Sequence, residues 1–93
     1  MTLPAEVAYR VADGVLHEWL FDEMVILDTR NGWKGTVNLT AGVILEMFAS
    51  PTAAQEAIDE LVTDIGLDTE TATTSVRSMI ESLVEQGVLE VSQ

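Results

Sequence analysis

Trp33-Lys34-Gly35-Thr36-Val37-Asn38-Leu39-Thr40-Ala41-Gly42 is the stretch whose reading decides the fold. It opens as a short strand and runs directly into a helix start. Just upstream, Met24-Val25-Ile26-Leu27 is a continuous aliphatic run, and Asp28-Thr29-Arg30-Asn31-Gly32 separates the two. Asn-Gly favours the left-handed backbone that closes a hairpin, so residues 24–38 are expected to form one. Gly35 weakens the return strand from within, which points to a bulge or to close approach by another backbone. Trp33 and Trp19 each fit a half-buried sheet core or a partner-facing edge, where tryptophan is enriched.

Working outward, residues 15–21 are apolar enough for another strand, broken by Asp22-Glu23. Val7, Tyr9 and Val11 alternate ahead of the Asp13-Gly14 turn and suggest a leading strand or arm, preceded by a frayed start over residues 1–6. Downstream the period changes to that of helices. Thr40 is the expected N-cap of a first helix carrying Val43, Ile44, Met47 and Phe48. Ser50-Pro51 has the chemistry of a second helix start, followed by Ala54, Ile58, Leu61, Val62 and Ile65 at three- and four-residue steps and a stop at Gly66. A third helix is expected from Asp68 or Thr69 to Gly87, with Ala72, Val76, Met79, Ile80, Leu83 and Val84 on its apolar face. Val88-Leu89-Glu90-Val91 is a short tail with strand character. Three strands followed by three helices make an α+β plan, and 93 residues make one small domain.

Sixteen acidic residues against four Lys and Arg give a formal charge of −12. Such a surface repels a phosphate backbone, whose binding draws on Lys and Arg. Hydrophobic residues make up 47% of the chain, enough to fill a core and leave apolar surface over. The apolar runs fall far short of the ~20 residues of a membrane span, and no basic-then-apolar targeting segment opens the chain. A soluble, cytoplasmic protein is expected.

Catalytic constellations are sparse. His17 is the single histidine and there is no cysteine, so neither a transition-metal cluster nor a cofactor site is expected. No nucleophile signature surrounds Ser50, Ser75, Ser78, Ser82 or Ser92. Asp59, Glu60 and Asp64 lack the loop spacing of a calcium motif and read as a solvated helix face. The glycines form no phosphate-cradling loop. The sequence is not that of an enzyme.

Order and spacing together carry a family resemblance. Val25-Ile26-Leu27-Asp28, then Asn31-Gly32, then Val37-Asn38-Leu39-Thr40-Ala41-Gly42, and last Val76-Arg77-Ser78-Met79-Ile80-Glu81-Ser82-Leu83-Val84-Glu85-Gln86-Gly87-Val88-Leu89, are similar to the PqqD-like family of peptide-recognition domains. The chain departs from the family pattern at Leu39, Leu45 and Ser75. The resemblance implies a winged helix-turn-helix in which a three-stranded antiparallel sheet is followed by three helices. It implies a RiPP recognition element, which binds the leader segment of a ribosomally made precursor peptide and presents it to a separate maturation enzyme. The free-standing form resembles the small partner of lasso-peptide maturation, which serves a leader protease. A quinone-pathway or mycofactocin-type chaperone is the alternative within the family, and a winged-helix transcription regulator the alternative outside it.

The mechanism so implied is addition of the leader as a fourth strand to the third strand of the sheet. It assigns peptide binding to Trp33, Lys34, Gly35, Thr36 and Val37 on that strand, and to Val76, Arg77, Met79, Ile80 and Leu83 on the third helix. The regulator needs a basic recognition helix, whereas residues 69–86 carry Arg77 against Glu70, Glu81 and Glu85. Duplex DNA should therefore show no mobility shift at physiological salt. A salt-sensitive shift at low-micromolar protein would reverse that exclusion.

Overall fold

The computed structural model describes residues 7–92; the expected frayed start lies outside them. Strand β1 (Ala8–Val11) leads into the antiparallel strands β2 (Val15–Leu20), β3 (Glu23–Asp28) and β4 (Trp33–Val37). Helix α1 (Leu39–Met47), the two-residue strand β5 (Thr52–Ala53), helix α2 (Ala54–Glu60), helix α3 (Thr69–Glu85) and strand β6 (Leu89–Ser92) follow. The expected α+β plan stands, with more β structure than the sequence announced. Strands β2, β3 and β4 form one sheet in that order, and β5, β1 and β6 form a second.

The second sheet draws together distant parts of the chain. Tyr9 pairs with Thr52 on one side and Val91 on the other. Arg10 sits opposite Glu90 in the β1–β6 register and donates to it at 2.7 Å. Buried Tyr9 meets the buried Phe48 ring edge-on, with centroids 6.5 Å apart. The core lies between the two sheets and the helices, and includes Met24, Ile26, Ile44, Leu45, Phe48, Leu61, Val76, Ile80 and Leu89.

Two helix starts differ from expectation. Asn38, not Thr40, caps α1: its side chain accepts from the Ala41 N–H at 2.9 Å. Asn38 follows β4 at once and still has extended backbone, as an N-cap requires, whereas Thr40 is already helical. Ser50-Pro51 does not open α2. Thr52 and Ala53 are drawn into pairing with β1, and the helix begins after them with Glu56 accepting from the Ala53 N–H at 3.0 Å. The α2 helix widens into one π turn, Leu61–Ile65, which ends at Gly66 with φ of 83°. Helix α3 starts as expected, Asp68 accepting from the Thr71 N–H at 3.0 Å.

The expected break at Asp22-Glu23 is a tight reversal instead. Phe21 and Asp22 alone connect β2 to β3, and Leu20 pairs with Glu23. Helix α1 lies close against the inner face of this sheet because Gly42 admits it. A Cβ at Gly42 would come within 2.5 Å of the Trp19 ring and 2.9 Å of the Met24 Cβ. Trp19 is thus partly buried, and its indole N–H donates to Glu46.

An ion pair between a buried carboxylate and a half-exposed arginine anchors the other hairpin. Asp28 is buried at the end of β3, and Arg30 Nε and Nη2 each donate to its carboxylate at 2.9 Å. Arg30 Nη2 also donates to the Gly87 carbonyl at 2.7 Å, tying the β3–β4 loop to the end of α3. These side-chain hydrogen bonds hold the Asp28 carboxyl below its ordinary value of 3.8, against the opposing effect of burial.

Two outcomes follow for stability. Gly42→Ala must push the Trp19 ring or the Met24 backbone away, and should cost about 1–3 kcal/mol in urea unfolding, the usual penalty of overpacking. A carboxyl whose folded value is depressed contributes stability above its unfolded value and loses it as pH falls through the folded one. Asp28→Asn should therefore be less stable than the parent at neutral pH, and the gap should narrow below pH 3.8. A gap that is constant from neutral to acid pH would mean the ion pair contributes nothing.

Candidate functional site

Strand β4 is the last strand of its sheet, so one of its edges carries no partner strand among the described residues. Which backbone groups face that edge follows from the hydrogen bonds at the sheet's end. The Thr29 N–H donates to the Gly14 carbonyl at 2.8 Å, on the β2 side. The Val15 N–H turns away from β3 and donates to Ala12 at 3.1 Å. Backbone groups alternate between the two sides of a strand. Met24, Ile26 and Asp28 therefore face β4, where they oppose Val37, Gly35 and Trp33. The N–H and C=O groups of Lys34 and Thr36 point outward to the open edge.

The register from Met24↔Val37 to Asp28↔Trp33 is unbroken, so Gly35 marks no bulge. Its reason is local: a Cβ there would stand 2.8 Å from the Trp33 ring, which folds back over residue 35. Trp33 and Gly35 share the sheet face toward the helices, and Trp33 remains 39% exposed. The loop that sets this up has Gly32 at φ 77° donating to the Asp28 carbonyl at 2.8 Å. Asn31 Oδ1 accepts from the Trp33 N–H, also at 2.8 Å.

The ten residues singled out in the sequence fall into two groups. Trp33, Lys34 and Thr36 are exposed, and Gly35 and Val37 are half-buried, so β4 offers a continuous surface. On α3, Arg77 and Met79 are half-buried, whereas Val76, Ile80 and Leu83 lie in the core. Arg77 and Met79 thus retain surface that the three core residues do not. Among the described residues β4 does not pack closely on α3; the two are linked through Arg30 and Gly87 at one end. Lys34 gives this edge one positive charge in a strongly acidic chain.

Sequence reasoning did not single out a second surface. A depression runs along β2, lined by Leu16, Leu20, Val25 and Leu27 among others. Its signal was present as apolar residues on both faces of β2, which blurred the alternation of that strand. No helix among the described residues is long and apolar enough to cross a membrane.

No curated protein sequence matches the chain. Among solved structures, "TbiB1 in Complex with the TbiA(beta) Leader Peptide" superposes with a TM-score of 0.77 at 20% identity, covering 87% of this chain and 94% of that one. "Lasso peptide synthetase B1 complexed with the leader peptide" superposes with a TM-score of 0.75 at 21% identity, covering 88% and 96% respectively. At such identities the likeness is one of fold. The family described as "Coenzyme PQQ synthesis protein D (PqqD)" matches residues 23–89, from the start of β3 to the start of β6. With well over half of its length so matched, the chain belongs to the PqqD family.

Proposed function

We propose that this chain is a single-domain adaptor that binds the leader segment of a ribosomally made precursor peptide and presents it to a separate maturation enzyme, a lasso-peptide leader protease. The observation that carries this reading is the open edge of β4. It offers the N–H and C=O groups of Lys34 and Thr36 in the spacing that an added strand requires. Two solved structures of this fold are complexes with leader peptides, one of them of a lasso peptide synthetase, which supports the choice of ligand and pathway. The same edge would serve a quinone-pathway chaperone, as the family's description suggests, with a different precursor.

The mechanism needs no catalysis. Backbone bonds to Lys34 and Thr36 hold the peptide extended, each contributing ~0.5–1.5 kcal/mol net. Trp33 and Val37 from the strand, with Met79 and Arg77 from α3, meet alternate side chains and select the sequence. Arg77 suits an acidic residue of the leader, and Met79 an apolar one of variable shape. The adaptor works in the cytoplasm, where the peptide is made.

Proline substitution separates the two sides of β4. Lys34→Pro and Thr36→Pro remove only outward N–H groups and should stay folded while weakening leader binding by ~1–3 kcal/mol. Gly35→Pro and Val37→Pro strike bonds to β3 and should lower the melting temperature instead. Leader binding should also change tryptophan emission, a response lost in Trp33→Phe and kept in Trp19→Phe. Normal leader affinity in folded Lys34→Pro and Thr36→Pro would rule out strand addition at β4.

A further inference from the structure

Phe21 stands at the tip of the β2–β3 turn, 95% exposed, with φ of 58°. It is the one non-glycine residue in the left-handed region among those described. A bulky side chain is disfavoured there, and glycine or asparagine would close the same turn at lower cost. Strain spent on displaying an aromatic ring to water is an observation from which function is inferred.

The sheet beside it tells the same story. The face of β2–β3–β4 turned away from the helices should be polar by alternation. Lys34 and Thr36 on β4 obey. On β2 and β3, however, Leu16 and Leu20 are each 59% exposed and Leu27 is 36% exposed. The register sets Leu16 directly beside Leu27, and Glu18 beside Val25. A largely apolar strip therefore runs from Leu27 on the central strand, beside Lys34, across to β2 and along it to Phe21. Glu18 lies within it, between Leu16 and Leu20 and opposite Val25, and Asp22 and Glu23 stand at its Phe21 end, all three exposed.

We propose that the outer face of β2 and β3, anchored by Phe21, docks a protein surface that is apolar and carries Lys or Arg opposite Glu18, Asp22 and Glu23. Resting on the function proposed above, that surface belongs to the enzyme that processes the peptide held at β4. Charge complementarity selects this occupant. These carboxylates would face their own like in a second copy of a chain carrying −12, whereas a basic surface meets them favourably. The outer face of β2 and β3 and the edge of β4 are separate surfaces that leave room for enzyme and peptide together, and an exposed aromatic at the end of an apolar patch has the side-chain character of a hot spot.

The test uses the full chain, a lasso-peptide leader protease, and the leader segment of the precursor peptide that this protease processes. Phe21→Asn suits the turn and should keep or raise the melting temperature; Leu16→Ser alters the same face at a second point. Both should bind the leader with parent affinity and bind the protease about ten-fold or more weakly. Unchanged protease affinity in both, or no protease binding by the parent, overturns the proposal. Loss of leader binding instead would assign this face to the peptide. Self-association of the parent in sedimentation, abolished in Phe21→Asn, would make the occupant a second copy. A parent that binds protease through Phe21 but fails to bind leader would remove the leader reading alone.

Discussion

Arg30 is the point on which the arrangement of the two sheets and α3 depends. Asp28 is the one buried charged residue among those described, and a buried carboxylate is costly unless charge and hydrogen bonds compensate it. Arg30 supplies both, through its backbone N–H at 3.0 Å and two guanidinium contacts at 2.9 Å. Its Nη2 also donates to the Gly87 carbonyl, where the chain leaves α3. Its aliphatic stem covers Gly14, where a Cβ would meet Arg30 Cγ at 3.0 Å. One side chain therefore fixes the β1–β2 turn, the β3–β4 loop and the end of α3 relative to one another. Because β4 does not pack closely on α3, this clamp sets the separation between the strand edge and the helix.

The sequence made the local parts of this legible and hid the distant ones. Asn31-Gly32 between two apolar runs located the β3–β4 hairpin, and Gly66 and Gly87 located helix ends, because each acts through its own backbone angle. The second sheet was legible only in part: β1 and β6 were readable as strand candidates, but their pairing was not. Its middle strand pairs with residues more than forty positions away on both sides, and two-residue β5 carries no periodicity at all. The same pairing overrode Ser50-Pro51: a good helix-start signal lost to the strand that Thr52 and Ala53 complete against β1. Local propensity sets options, and long-range pairing chooses among them.

The candidate site was legible to a comparable depth. The strand was identified, but the side of it that faces outward depended on hydrogen bonds at Thr29 and Val15 that no residue pattern encodes. On α3, periodicity found one apolar face but could not divide it. Val76, Ile80 and Leu83 went to the core and Met79 kept partial exposure, a matter of a fraction of a helical turn. Gly35 was informative for a different reason than expected, since the neighbour it accommodates is Trp33 from the same strand.

A small sheet with open edges at both β2 and β4, and with apolar residues on its outer face, is a hazard for aggregation. This chain places Lys34 on one edge strand, Glu18 on the other, and a net charge of −12 over the whole. Charge of one sign repels copies of the chain at a range of about a Debye length, ~8 Å at physiological ionic strength, before any edge comes into hydrogen-bonding distance. It exerts no such repulsion on a basic or neutral partner. The repulsion between copies opposes their pairing at the open edge or at the exposed aromatic, because it acts at longer range than what these offer. The acidity of the chain then helps to keep the proposed binding surfaces available, and high salt, which screens that repulsion but not the apolar patch, is the condition that exposes this dependence.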